Sequence, residues 1–165
     1  MKKLFPFLAV VLFLAAADLP GGELALRGFP WGTSVDEVVR RMGPPMSRET
    51  VGGFDSLIWG NVEEEGFIAF MQAYFSPAGL QGGVFHFDTR TLDETRRCYE
   101  ELQRILLDRH GPTRILDRMT REFRSYASAW SLPGGLVRLR VNTGEWEPVT
   151  LWYSSPEFTA LVMGN

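Results

Sequence analysis

Twice in this chain an amphipathic helical pattern is cut off by Gly-Pro and followed by runs of strand-like residues, a repetition that narrows the available folds more than any other feature. The first pattern runs from Ser34 to Met42, with Thr33 or Ser34 as N-cap, Glu37 placed to complete a capping box, and Val35, Val38, Val39 and Met42 on one stripe. Gly43-Pro44-Pro45 ends it. The second runs from Leu92 to His110, opened by Thr91 with Glu94 three residues later, and carries Leu92, Thr95, Cys98, Tyr99, Leu102, Ile105 and Leu106 on its inner face. Gly111-Pro112 ends that one, since glycine caps a helix and proline cannot continue it.

Strand signals follow each helix. Ser56 to Trp59 and Gly66 to Ser76 are apolar and aromatic, and the turn Ser76-Pro77-Ala78-Gly79 leads into a return strand from Leu80 to Asp88. After the second helix come Arg124 to Ser131, Leu136 to Asn142 beyond the Pro133-Gly134-Gly135 turn, and Val149 to Ser154. Gly111 stands 68 residues after Gly43, and nearly the same offset brings Trp130 onto Trp59. The pattern reads as an internal duplication. It predicts an α+β fold of two tandem helix-plus-antiparallel-sheet repeats, residues 18–88 and 89–165, with the helices packed on one face of the sheet.

Residues 1–17 read as a cleavable signal peptide. Lys2 and Lys3 form a positive n-region, Leu4 to Leu14 an apolar stretch interrupted only by Pro6, and Ala15-Ala16-Ala17 the small residues before a cut at Asp18. The apolar run is shorter than the roughly 20 residues of a membrane-spanning helix. The expectation is a periplasmic or secreted protein that meets the membrane only in transit.

About 148 residues remain, enough to bury a sizeable core. Removing Lys2 and Lys3 from the 17 basic residues leaves fifteen arginines against twenty acids, so the net charge moves from −3 to about −5. With no basic stripe, a nucleic-acid partner is not expected. Cys98 is the single cysteine, which excludes an internal disulfide, and its place on the apolar stripe predicts a buried, inert thiol.

The stretch Gly28-Phe29-Pro30-Trp31-Gly32-Thr33-Ser34-Val35-Asp36-Glu37-Val38, closing with Met42-Gly43-Pro44-Pro45, resembles the opening helix of the SmpA/OmlA (BamE-like) envelope lipoproteins, which help assemble outer-membrane proteins. Two such units in tandem are similar to the secreted β-lactamase inhibitor proteins. The resemblance implies that fold and a habit of binding other proteins. The chain lacks the lipidation cysteine of the first group and the cysteine pair of the second.

Catalytic and metal-binding signals are sparse. His86 and His110 are the only histidines; no nucleophile elbow, phosphate loop or histidine pair at ligand spacing occurs, so neither cofactor nor metal is expected. His86-x-Asp88 places two polar groups on one strand face and is the place for an alternative small hydrolase or ligand-binding site. The acidic run Glu63-Glu64-Glu65 reads as a solvated loop.

Strand alternation supplies the binding candidates. Small Ala127 and Ala129 suit a face close beneath a helix, which sends Tyr126 and Trp130 outward; Val137, Leu139 and Val141 point inward, leaving Arg138 and Arg140 outside. In the last strand Val149, Leu151 and Tyr153 point in and Trp152 out. Tyr126, Trp130, Arg138, Arg140 and Trp152 would then share an outer face with the composition of a protein-binding hot spot, in a non-enzymatic module with an unidentified protein partner. Mutual stacking of these side chains, or their packing under a loop or the other half of the protein, is the competing account.

Overall fold

The computed structural model describes residues 24–113, 125–142 and 147–163. The predicted leader and its cleavage site lie outside the described residues. A small hairpin, β1 (Ala25–Leu26) and β2 (Phe29–Pro30), precedes α1 (Val35–Met42). Four strands follow: β3 (Ser47–Val51), β4 (Phe54–Glu64), β5 (Phe67–Ser76) and β6 (Gly79–Phe87). Then come α2 (Leu92–His110), β7 (Ser125–Leu132), β8 (Gly135–Asn142), β9 (Glu147–Ser154) and α3 (Pro156–Met163).

Strands β3 to β9 form one antiparallel sheet in the order β3-β4-β5-β6-β9-β8-β7. The expected pair of helix-plus-sheet repeats is therefore corrected: the fold is mostly β, and the helices are not arranged as two separate helix-on-sheet units. The seam is the β6–β9 pairing, from Gly82 opposite Ser154 to Phe87 opposite Val149. Had each half kept its own sheet, β6 and β9 would be edges with unpaired backbone groups, and joining them satisfies both ladders at once. The outer edge at β3 is short and fully exposed and carries Arg48 and Glu49, features that discourage further pairing.

One face of this sheet carries the main core. Leu57, Met71, Phe85, Leu139 and Leu151 pack there with Val38 of α1 and Cys98, Leu102 and Leu106 of α2. The capping geometry matches the sequence: Ser34 Oγ accepts from Glu37 N–H and Thr91 Oγ1 from Glu94 N–H. Both helices end on glycines of positive φ, Gly43 at 86° and Gly111 at 77°, conformations that side chains resist. Each cap turns its carbonyl toward the sheet, where a buried indole takes it up. Trp59 Nε1 donates to Gly43 O at 3.0 Å and Trp130 Nε1 to Gly111 O at 2.9 Å. A buried indole N–H must find an acceptor, so each tryptophan fixes its helix end on its strand.

Helix α3 lies on the opposite face, a second correction to the expectation that all helices share one side. Its Phe158 packs with Tyr74 and Val84, against Phe54 and Trp152. Ser155 starts the helix by accepting the Phe158 N–H at 3.1 Å, with Pro156 in the first-turn position that proline favours. Among the described residues no helix is long and apolar enough to cross a membrane.

The acidic run is not a solvated loop. Arg27 in the β1–β2 turn pairs with Glu64 at 2.8 Å, and Arg109 at the end of α2 pairs with Glu65 at 2.6 Å. Two largely buried carboxylates thus tie the β4–β5 turn to the small hairpin and to the second helix, while Glu63 stays exposed.

Candidate functional site

Register sorts the predicted binding residues onto two faces. Trp130 stands opposite Val137 in the β7–β8 ladder, and directly opposed residues project to the same side, here the core. At 2% exposure, packed beneath the end of α2, Trp130 is a core residue and not a binding one. The expectation failed because the helix lies over Ser128 instead of the alanines. Ser128 is small, and its Oγ is taken up at 3.0 Å by Tyr99 Oη and at 2.9 Å by Gln103 Nε2, so a buried hydroxyl serves where alanine was expected. Tyr126 occupies its place in β7, but its side chain lies outside the described residues.

Trp152, Arg138 and Arg140 do lie on the second face, and the ladders extend it across the sheet. Gln72, Val84, Trp152 and Arg138 are consecutive cross-strand neighbours over β5, β6, β9 and β8. Phe70, His86, Thr150 and Arg140 form the next row. Phe70 is 45% exposed, and Ile68, two residues along the same strand face, is 53% exposed. Met46, 69% exposed, approaches Phe70 over Gly60, where a Cβ would lie 2.4 Å from the Met46 sulfur and 3.4 Å from the Phe70 ring. These three apolar residues went unnoticed in the sequence. The usable signal was alternation in Gly66 to Ser76, where Ile68 and Phe70 fall out of phase with buried Ala69, Met71 and Ala73.

The face divides into two zones. Under α3 it is closed: Trp152 stacks on Tyr74 at 6.1 Å and 8°, and Phe158 contacts Tyr74 at 5.2 Å. Trp152 is thus half-buried, serving the fold as well as the surface. Away from α3 the face presents Phe70, Ile68 and Met46 at one side and Arg140 at the other. Burial lowers the Arg138 pKa, and the like charge of Arg140 adds to the effect. Burial also lowers the pKa of His86, favouring its neutral form.

His86 and Asp88 do not converge on one site. The Asp88 carboxylate faces Arg90 at 3.8 Å beside a cavity of about 360 Å³ at the start of α2, lined by Phe67, Phe87, Arg97 and Cys98 among others, and His86 is not part of its wall. The Cys98 thiol is buried there, and burial pushes its pKa up to about 12 despite the nearby Arg97 charge. Cys98 should therefore resist iodoacetamide at pH 8 in the native protein and react within minutes once unfolded; rapid native labelling, followed by mass spectrometry, would contradict its burial. Among the described residues no three His, Cys, Asp or Glu side chains gather as a metal site.

No protein-family model, curated protein or solved structure matches the chain. The functional reading therefore stands on the geometry of this open face.

Proposed function

We propose that the protein is an exported, non-enzymatic binding module that docks a protein partner on the open part of its second sheet face. The observation that carries this reading is the grouping of exposed Met46, Ile68 and Phe70 with Arg140 and half-buried Arg138 and Trp152 on one side of a sheet whose other side holds the main core. Exposed apolar and arginine side chains set around a half-buried aromatic have the composition of an interaction hot spot. The seven-stranded sheet fixes the spacing of Ile68, Phe70, Arg138, Arg140 and Trp152, which all lie on its strands. The export half of the reading rests on Lys2, Lys3 and the apolar run that ends at Ala17.

Phe70→Ser and Arg140→Glu supply the test, because both side chains are exposed and their loss should leave the melting temperature nearly unchanged. Used as bait in the envelope and secreted fractions of the native host, the wild-type protein should retain a partner that both variants lose. A hot-spot loss of about 2 kcal/mol weakens binding roughly thirtyfold, enough to clear the partner from a washed resin. A partner retained equally by wild type and both variants would place the interaction elsewhere.

A further inference from the structure

The β5–β6 hairpin is closed by its turn at Ser76 and Gly79 and opens at the other end, where α2 begins and the cavity of about 360 Å³ lies. That volume falls within the roughly 300–1,000 Å³ of small-ligand sites. Phe67 at the start of β5 and Phe87 at the end of β6 meet edge to face at 6.1 Å and, with Ile68, form the apolar wall. The Cys98 thiol joins that wall as a neutral group, because burial keeps its proton in place. Four charged residues complete the lining, two of each sign, and three of them already have partners. The Arg90 guanidinium faces Asp88 at 3.8 Å, and the Glu94 carboxylate accepts the Arg90 backbone N–H at 2.8 Å. Exposed Arg97 makes no hydrogen bond or ion pair among the described residues, although Asp93, Glu94, Glu100 and Glu101 lie three or four positions from it on α2.

We propose that this cavity binds a small amphipathic carboxylate, with its apolar body against Phe67, Phe87 and Ile68 and its carboxylate on Arg97. The site stands apart from the open sheet face and shares Ile68 with it. The composition of the wall carries the choice of ligand. Aromatic rings gain from covering an apolar body, and the parallel donors of a guanidinium match the two oxygens of a carboxylate. The acids of the lining do not select a cation instead: Asp88 is opposed by Arg90, and Glu94 is engaged at the helix start. Glu63, the cross-strand neighbour of Ile68, is exposed on β4 and is not part of the wall. Arg97 is therefore the charge of the lining whose pairing a ligand would complete.

The test is an amide chemical-shift titration of the isotopically labelled protein with three probes of one skeleton: 4-phenylbutyrate, 4-phenylbutan-1-ol and 4-phenylbutylamine. The carboxylate should shift the signals of Phe67, Phe87, Arg97 and Cys98 saturably and bind about fivefold or more tightly than the alcohol, with the amine weakest. Acetate, which lacks the apolar body, should give no saturable shift at the same concentrations. Arg97→Gln should bring the carboxylate and alcohol affinities within about twofold of each other at an unchanged melting temperature, since glutamine suits an exposed helical position about as well as arginine. Equal binding of carboxylate and alcohol by the wild type would overturn the role of Arg97, as would a carboxylate preference that survives Arg97→Gln and disappears in Arg90→Gln. Preference for the amine would show that Asp88 and Glu94 govern the cavity and overturn the assignment of an anion. Shifts confined to the open sheet face, or no saturable shift up to about 10 mM of any probe, would overturn the site itself. Loss of a protein partner from the Phe70→Ser variant, by contrast, reports on the open face and leaves these outcomes unaffected.

Discussion

Trp130→Ala should cost about 3–5 kcal/mol of stability, the range for large aromatics cut from a core, which is a substantial part of what a domain this size has. Three losses combine at this position. The side chain is 2% exposed, so its removal leaves a cavity beneath α2. Its indole is the partner of the Gly111 carbonyl at the helix end, and that acceptor would be stranded. The His110 ring, 6.5 Å away, would lose its neighbour. Trp59→Ala should behave alike, through the Gly43 carbonyl at the end of α1. Trp130→Phe separates the contributions, keeping most of the apolar volume while deleting the donor, and should cost roughly 1–2 kcal/mol for the hydrogen bond. Thermal melts decide the matter, with a fall of roughly 10 °C or more expected for either alanine variant. Trp152→Ala provides the contrast: this half-buried ring loses a stack on Tyr74 but no core cavity, and should shift the melt less than half as far. A Trp130→Ala protein melting within two degrees of wild type would refute the clamp.

The second large effect is a dependence of stability on pH that runs opposite to the usual carboxylate pattern. Glu64 sits in the bracket between Arg27 and Arg109, and burial pushes its carboxyl up to about 7 from an ordinary 4.5. Arg27 pulls in the other direction and the neighbouring charge of Glu65 pushes further up. A group whose pKa is higher in the folded state binds its proton more tightly there. Its contribution is therefore fully present below about pH 4.5, declines as the pH rises, and is lost above about 7. A difference of about 2.5 units corresponds to about 3 kcal/mol at most. Glu64→Gln imitates the protonated acid and should remove the dependence. Chemical denaturation of wild type and variant at pH 5 and pH 8 cancels the other titrating groups, and the variant should gain on the wild type by up to that amount between the two. Should the wild type gain instead, Arg27 and Arg109 hold Glu64 ionised and burial is the weaker influence.

Much of the local structure was legible because it depends on contacts a few residues apart. Capping by Ser34 and Thr91, the Gly-Pro stops, the bounds of α2 and the turns at Pro77 and Pro133 are set by short-range backbone chemistry, and the structure returns them. Inward-facing Val137, Leu139 and Val141 followed from simple alternation. Helix α3 was missed because its eight residues are too uniformly apolar to show a helical period, although Ser155-Pro156 is a usable start signal. The strand Ser47–Val51 went unread because all of it is exposed, and an edge strand without a buried side has no alternation to display.

What the sequence determined by itself is a chain with two capped, Gly-terminated helices, alternating strands between and after them, one cysteine held on an apolar stripe, and arginines opposite valines in the strand Gly135–Asn142. Only the tertiary structure decided that the strands merge through β6 and β9 into a single sheet, and which tryptophan belongs to which face. Trp130 could not be placed from its own strand, because one residue of register reverses every side chain. The deciding partners, Tyr99 and Gln103 over Ser128 and Gly111 at the indole, come from a helix up to 29 residues away. For the same reason the apolar end of the open face was invisible in one dimension. Phe70 and Arg140 lie 70 residues apart along the chain, and only the stacking of four strands sets them about 14 Å from each other on one surface.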